Sequence, residues 1–93
     1  MANVGDVVTV VTMLGEVIGK LKEETEQGYV LESPRLFVPG EGGTGGFSPG
    51  LCMTGKTNLN ETHLNKAVVL TVVPSHETIE KGWREAVSGI VVP

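Results

Sequence analysis

The sequence predicts a mainly β fold: five short antiparallel strands, strongly bent into a small barrel, followed by one helix. Three observations lead there. The apolar weight is carried by valine, paired at 7–8, 10–11, 68–69, 72–73 and 91–92, and a branched Cβ favours extended backbone. Glycine or polar turns punctuate the valine-rich runs. Only one stretch, near the C-terminus, carries apolar residues at helical spacing. The 93 residues form a single domain, 1–93, too short for a second core. A chain of this size buries roughly 60–65% of its unfolded surface, so association with copies of itself is a natural source of stability.

Residues 7–14, VVTVVTML, read as the first strand, and EVIGKLKEE, 16–24, as the second. The tight link Leu14-Gly15-Glu16 makes them a hairpin. Gly19, inside the second strand, predicts a bend or bulge where the sheet curls. A polar turn over 24–28 leads into YVLESPRLFV, 29–38, a third strand that Pro34 should interrupt or place at an edge. Residues 39–55 hold seven glycines and two prolines and read as one long Gly-rich loop. A fourth strand falls within 56–64, and Asn65-Lys66 makes a turn. AVVLTVV, 67–73, has no polar alternation except Thr71 and reads as a strand buried on both faces or paired at an interface.

Pro74 ends that strand and Ser75 stands ready to cap a helix over 75–87. Ile79, Trp83 and Val87 form its apolar stripe, and Glu77–Lys81 and Glu80–Arg84 are spaced as i,i+4 ion pairs. The closing Ile90-Val91-Val92-Pro93 suits an edge segment. Barrel closure follows as an expectation, because it removes the edges that valine-rich strands would otherwise expose.

Composition narrows the function classes. A net charge of −4 repels a nucleic-acid backbone unless a local basic patch exists. Lys20, Lys22, Arg35, Lys56 and Lys66 are scattered and lack interleaved aromatics. The N-terminal segment lacks the pattern of a signal peptide and no apolar run approaches a membrane span, so a cytoplasmic, membrane-free protein is expected. Gly50-Leu-Cys-Met-Thr-Gly-Lys-Thr57 matches the spelling of a phosphate loop. Its context does not: a working phosphate loop is delivered by a buried strand and opens a helix. TGGFSP precedes the match, and the leucines after it are five residues apart, at 59 and 64. No nucleotide, no cofactor and no enzymatic activity are expected. Nor is a metal or catalytic centre: His63 and His76 are not brought together by their spacing, Cys52 has no recognisable base, and Glu23, Glu24 and Glu26 suit a solvated turn.

The run VVTVVTMLGEVIGKLKEETEQGYVLESP resembles the first signature segment of the Sm/Lsm-like proteins, through Gly15, Val17 or Ile18, Gly19, Leu21, Glu24 and Tyr29-Val30-Leu31. THL-NK-AVVLTV, 62–72, resembles the second segment. The likeness covers roughly residues 6–38 and 58–73. The layout also resembles that of small proteins of tailed marine phages, with a GEVIG hairpin and an SGIVVP end, which would place the chain in the cytoplasm of an infected host. The Sm likeness implies a bent five-stranded barrel whose fourth strand pairs with the fifth strand of the next copy, closing a homo-oligomeric ring that binds single-stranded RNA. The implied RNA-facing residues are Glu24, Gln27, Gly28, Asn65 and Lys66; the implied interface residues are Val68, Val69, Leu70 and Val72. Gln27 stands where the family carries a stacking aromatic, a loss of about 1–3 kcal/mol per base. The second reading is therefore a phage oligomer that serves protein contacts and binds no RNA.

Overall fold

The structure, a computed structural model, describes residues 2–40 and 45–88. Its elements are β1 (Val7–Thr12), β2 (Gly15–Glu24), β3 (Gly28–Pro39), β4 (Gly45–Ser48), β5 (Glu61–Asn65), a 3₁₀ turn (Lys66–Val68), β6 (Val69–Pro74) and α1 (Glu77–Ser88). The strands form one antiparallel sheet in the order β4-β3-β2-β1-β6, with β5 also on β3. The long strand β3 serves two partners: residues 28–32 pair with β5 and residues 36–39 with β4.

The β1–β2 hairpin forms as the sequence predicts, with Thr12 opposite Gly15. Gly15 adopts φ +144°, a backbone region open chiefly to glycine. Gly19 sits where the β2–β3 register shifts. A side chain there would press on the Glu32 carbonyl and Leu31.

Pro34 interrupts the ladder, one of its two expected outcomes, without ending β3: it is fully buried inside the strand, between the part that pairs with β5 and the part that pairs with β4. Opposite Gly19, β3 bulges: Ile18 pairs with Arg35, but Lys20 pairs with Glu32. Ser33, at φ 50°, leaves the ladder and donates its N–H to the Asn60 carbonyl at 2.8 Å. A bulge removes the demand for a ladder N–H, so proline is tolerated there.

The Gly-rich stretch also differs from its reading as a single loop, because β4 lies inside it. Phe47 packs edge-on against Phe37, with ring centroids 5.6 Å apart. The aromatic pair offsets the entropic cost of the neighbouring glycines. Among the described residues there are thus six strands where five were expected.

The barrel does not close. β5 is bonded to β3 and β6 to β1, with no ladder between β5 and β6 among the described residues. Four antiparallel steps separate these two strands, so they run parallel. Parallel neighbours need a crossover of about a dozen residues, and only the three-residue 3₁₀ turn joins these. The same short link forces a curl. Asn65 and Val69 are at most about 14 Å apart along the chain, whereas five flat strands would span roughly 19 Å.

Each face of the sheet has its own core. Val8, Val10, Val17, Leu21 and Leu31 are buried on the inner face, rimmed by half-buried Tyr29, Leu36, Leu51, Leu64, Val69 and Val72. On the other face Val7 and Ile18 pack with Trp83, beside Phe37, Phe47, Ile79 and Val87. The Ile79–Trp83–Val87 stripe therefore docks as its spacing predicts, and of the two expected ion pairs Glu80–Arg84 forms at 3.0 Å. Ser75 is not the cap: its hydroxyl bonds Thr9 at 2.8 Å, and His76 Nδ1 accepts the Thr78 N–H. The closing segment 90–93 lies outside the described residues.

Candidate functional site

The turn between β2 and β3 and the turn between β5 and β6 meet at one corner of the sheet. Thr25 closes the first. Its N–H donates to the Gly28 carbonyl at 2.8 Å, and its hydroxyl accepts the Gly28 N–H at 3.0 Å. Gly28 then pairs with Asn65 across the ladder. The approach is so close that a Cβ on Gly28 would collide with the Leu64 carbonyl. Asn65 shapes the second turn by accepting the Ala67 N–H at 2.8 Å. The two turns are tied together where the Lys66 N–H donates to the Gln27 carbonyl at 2.7 Å.

All five residues that the resemblance singled out, Glu24, Gln27, Gly28, Asn65 and Lys66, thus lie at this corner. The charge at its centre is neutralised. Lys66 Nζ is 3.0 Å from Glu24 Oε2 and 5.4 Å from the centre of the Tyr29 ring. Lys22 Nζ is 2.9 Å from Glu61 Oε2. The hydrogen bond to Glu61, then the charge of that carboxylate, raises the Lys22 pKa above its ordinary value. Both ion pairs reach from β2 over β3 to the β5 segment, with opposite polarity, and hold β5 at each end. All four side chains are 40–56% exposed, so each pair adds little by itself.

Sequence reasoning did not place Thr25 and His63 at this site; they meet at 3.4 Å, and nothing in their spacing signals it. Tyr29, already part of the resemblance, supplies the corner's aromatic ring. A cleft of about 400 Å³ opens beside the corner, lined by Leu21, Glu24, Tyr29, Leu70, Thr71 and Val72.

The implied interface residues divide. Val69 and Val72 are half-buried against the chain's own core, whereas Val68 and Leu70 are 48% and 67% exposed. β6 is therefore not buried on both faces; among the described residues it is an edge strand paired with β1 alone.

Elsewhere, residues 49–58 form a loop closed by the Asn58 N–H on the Pro49 carbonyl at 2.7 Å. It is entered from the four-residue β4 and leads through coil into β5, so the phosphate-loop spelling opens no helix. Cys52 is an exposed free thiol. Among the described residues no group of three or more His, Cys, Asp or Glu could hold a metal ion, and no helix is long and apolar enough to cross a membrane. Comparison with protein-family models, curated proteins and solved structures yields no match.

Proposed function

We propose that this chain is an Sm-like module that completes its sheet with copies of itself, β5 of one copy pairing with β6 of the next to form a head-to-tail ring. One observation carries the reading. Among the described residues β5 and β6, at two open edges of the curled sheet, each have a single strand partner, and the apolar rim between them, Tyr29, Leu64, Val69 and Val72, is only half covered. Unpaired, apolar edges are what soluble proteins ordinarily pair, shorten or charge. A head-to-tail contact of this kind closes into a ring where the rotation permits. The test is the mass in solution. A multiple of 9.8 kDa supports the reading and a monomer refutes it.

The role of such a ring divides on the corner described above. The convergence of Glu24, Gln27, Gly28, Asn65 and Lys66 favours single-stranded RNA. The pairing of Lys66 with Glu24, the net charge of −4 and the absence of an aromatic at position 27 favour a scaffold for protein contacts, in phage particles or the host cytoplasm. We adopt the protein-contact reading. Titration with uridine-rich RNA at low salt decides: salt-sensitive binding would overturn it.

A further inference from the structure

We propose that the tip of the β1–β2 hairpin, Met13-Leu14, is an anchor that enters an apolar groove on the neighbouring copy. This rests on the head-to-tail reading above and adds a second contact to it. Two-residue hairpin tips are ordinarily glycine, asparagine or aspartate. Here they are methionine and leucine, 79% and 96% exposed. The tip is also preformed and has no free polar side chain. The Thr12 hydroxyl donates to the Gly15 carbonyl at 2.8 Å and accepts the Leu14 N–H at 3.2 Å.

The receiving site is a groove of about 430 Å³ lined by Val17, Leu36, Leu51, Leu64 and Val68, with Met13 and Leu14 of the same chain along one side. Thr12 is its one polar lining residue, and that hydroxyl is already committed. The groove therefore selects an aliphatic group that needs no hydrogen bond. Contiguous exposed apolar surface of this kind marks an interaction site.

Strand direction identifies the occupant as a second copy. Every strand pair in this sheet is antiparallel. If β6 of a neighbour joins the free edge of β5 in the same manner, its first residue, Val69, lies beside the last residues of β5, Leu64 and Asn65. Within each chain Val69 pairs with Thr12, and Met13-Leu14 follow Thr12 directly. The pairing that closes the sheet thus carries the neighbour's hairpin tip to the Leu64 end of β5, where the groove opens.

Two measurements test it. In M13S/L14S the exposed tip becomes polar, so each chain folds as before while association weakens by roughly tenfold to a hundredfold, read as mass against concentration. Separately, Leu14→Cys chains and Leu64→Cys chains, each with Cys52→Ser, are mixed and oxidised; a cross-linked pair containing one of each is expected. A wild-type oligomer whose mass is unchanged in M13S/L14S, with no mixed cross-link, overturns the anchor and leaves edge pairing standing. A monomeric wild type overturns both.

Discussion

The Trp83 indole N–H donates to the Ser33 carbonyl at 2.9 Å, joining the middle of the helix to the bulge in β3. The bulge places Ser33 outside the ladder, where its N–H goes to Asn60 and its carbonyl is left for the helix face. Trp83, 4% exposed, fills the space above Val7 and Ile18 and satisfies that carbonyl. The bulge thus accounts for the tolerance of Pro34 within a strand and supplies the carbonyl on which α1 docks.

Trp83→Ala should therefore cost about 3–5 kcal/mol, the ordinary loss for a large buried aromatic, and Trp83→Phe about 1–2 kcal/mol from the unsatisfied carbonyl and lost volume. Urea unfolding gives both. A loss below about 1 kcal/mol for the alanine variant would mean that the helix is not anchored here.

Arg35 is 5% exposed and donates to the adjacent Pro34 carbonyl at 2.9 Å. Among the described residues no carboxylate lies within ion-pair distance. Burial pushes its pKa down, the mark of a charge held where water would serve it better. A buried charge is often replaced without loss by an apolar side chain of similar volume. Arg35→Met should leave stability unchanged or raise it by about 1 kcal/mol in urea unfolding; a drop of more than that would show the guanidinium to be structurally required.

Gly28 is fixed by the backbone of β5. Gly28→Ala drives a methyl group into the Leu64 carbonyl, and backbone cannot rotate aside as a side chain can. The expected cost is about 3 kcal/mol or more, with hydrogen exchange at Thr62–Asn65 accelerating first as β5 leaves β3. Exchange as slow as in the wild type would contradict the contact.

The Lys22–Glu61 pair carries a pH signature. A folded-state pKa above the ordinary 10.5 means stability fully present below the unfolded value and lost as pH rises through the folded one. Glu61→Gln should lower the Lys22 pKa, and its stability gap from the wild type should close above pH 10.5. The Lys22 side-chain NMR titration reads the first effect. An unchanged midpoint in Glu61→Gln would show that the pair does not persist in solution.

Glu24→Gln separates the two uses of the corner. It frees Lys66 from its carboxylate, so an RNA-binding ring should gain affinity and about one counterion of salt dependence. A protein-contact ring should show no binding before or after the change.

What the sequence made legible was local. The Leu14-Gly15-Glu16 turn, the Ile79–Trp83–Val87 stripe and the Asn65-Lys66 turn are set by residues near one another in the chain. That Pro34 would interrupt the ladder was legible; how the freed Ser33 backbone groups are satisfied was not, because Asn60 and Trp83 are distant in sequence. β4 was missed because the glycines around it obscured the one apolar cross-strand pair, Phe37 with Phe47, that marks its pairing with β3. The resemblance named five residues that the fold brings to one corner, but the neutralisation of Lys66 by Glu24 was not legible, since a 42-residue separation gives no spacing to read. Closure failed as an expectation for a topological reason: strand count does not reveal that β5 and β6 run parallel.

The most direct measurement is solution mass by light scattering across a concentration series. Edge pairing between copies predicts a discrete multiple of 9.8 kDa that persists on dilution. A single 9.8 kDa species at every concentration would mean that β5 and β6 remain open, and would contradict the ring.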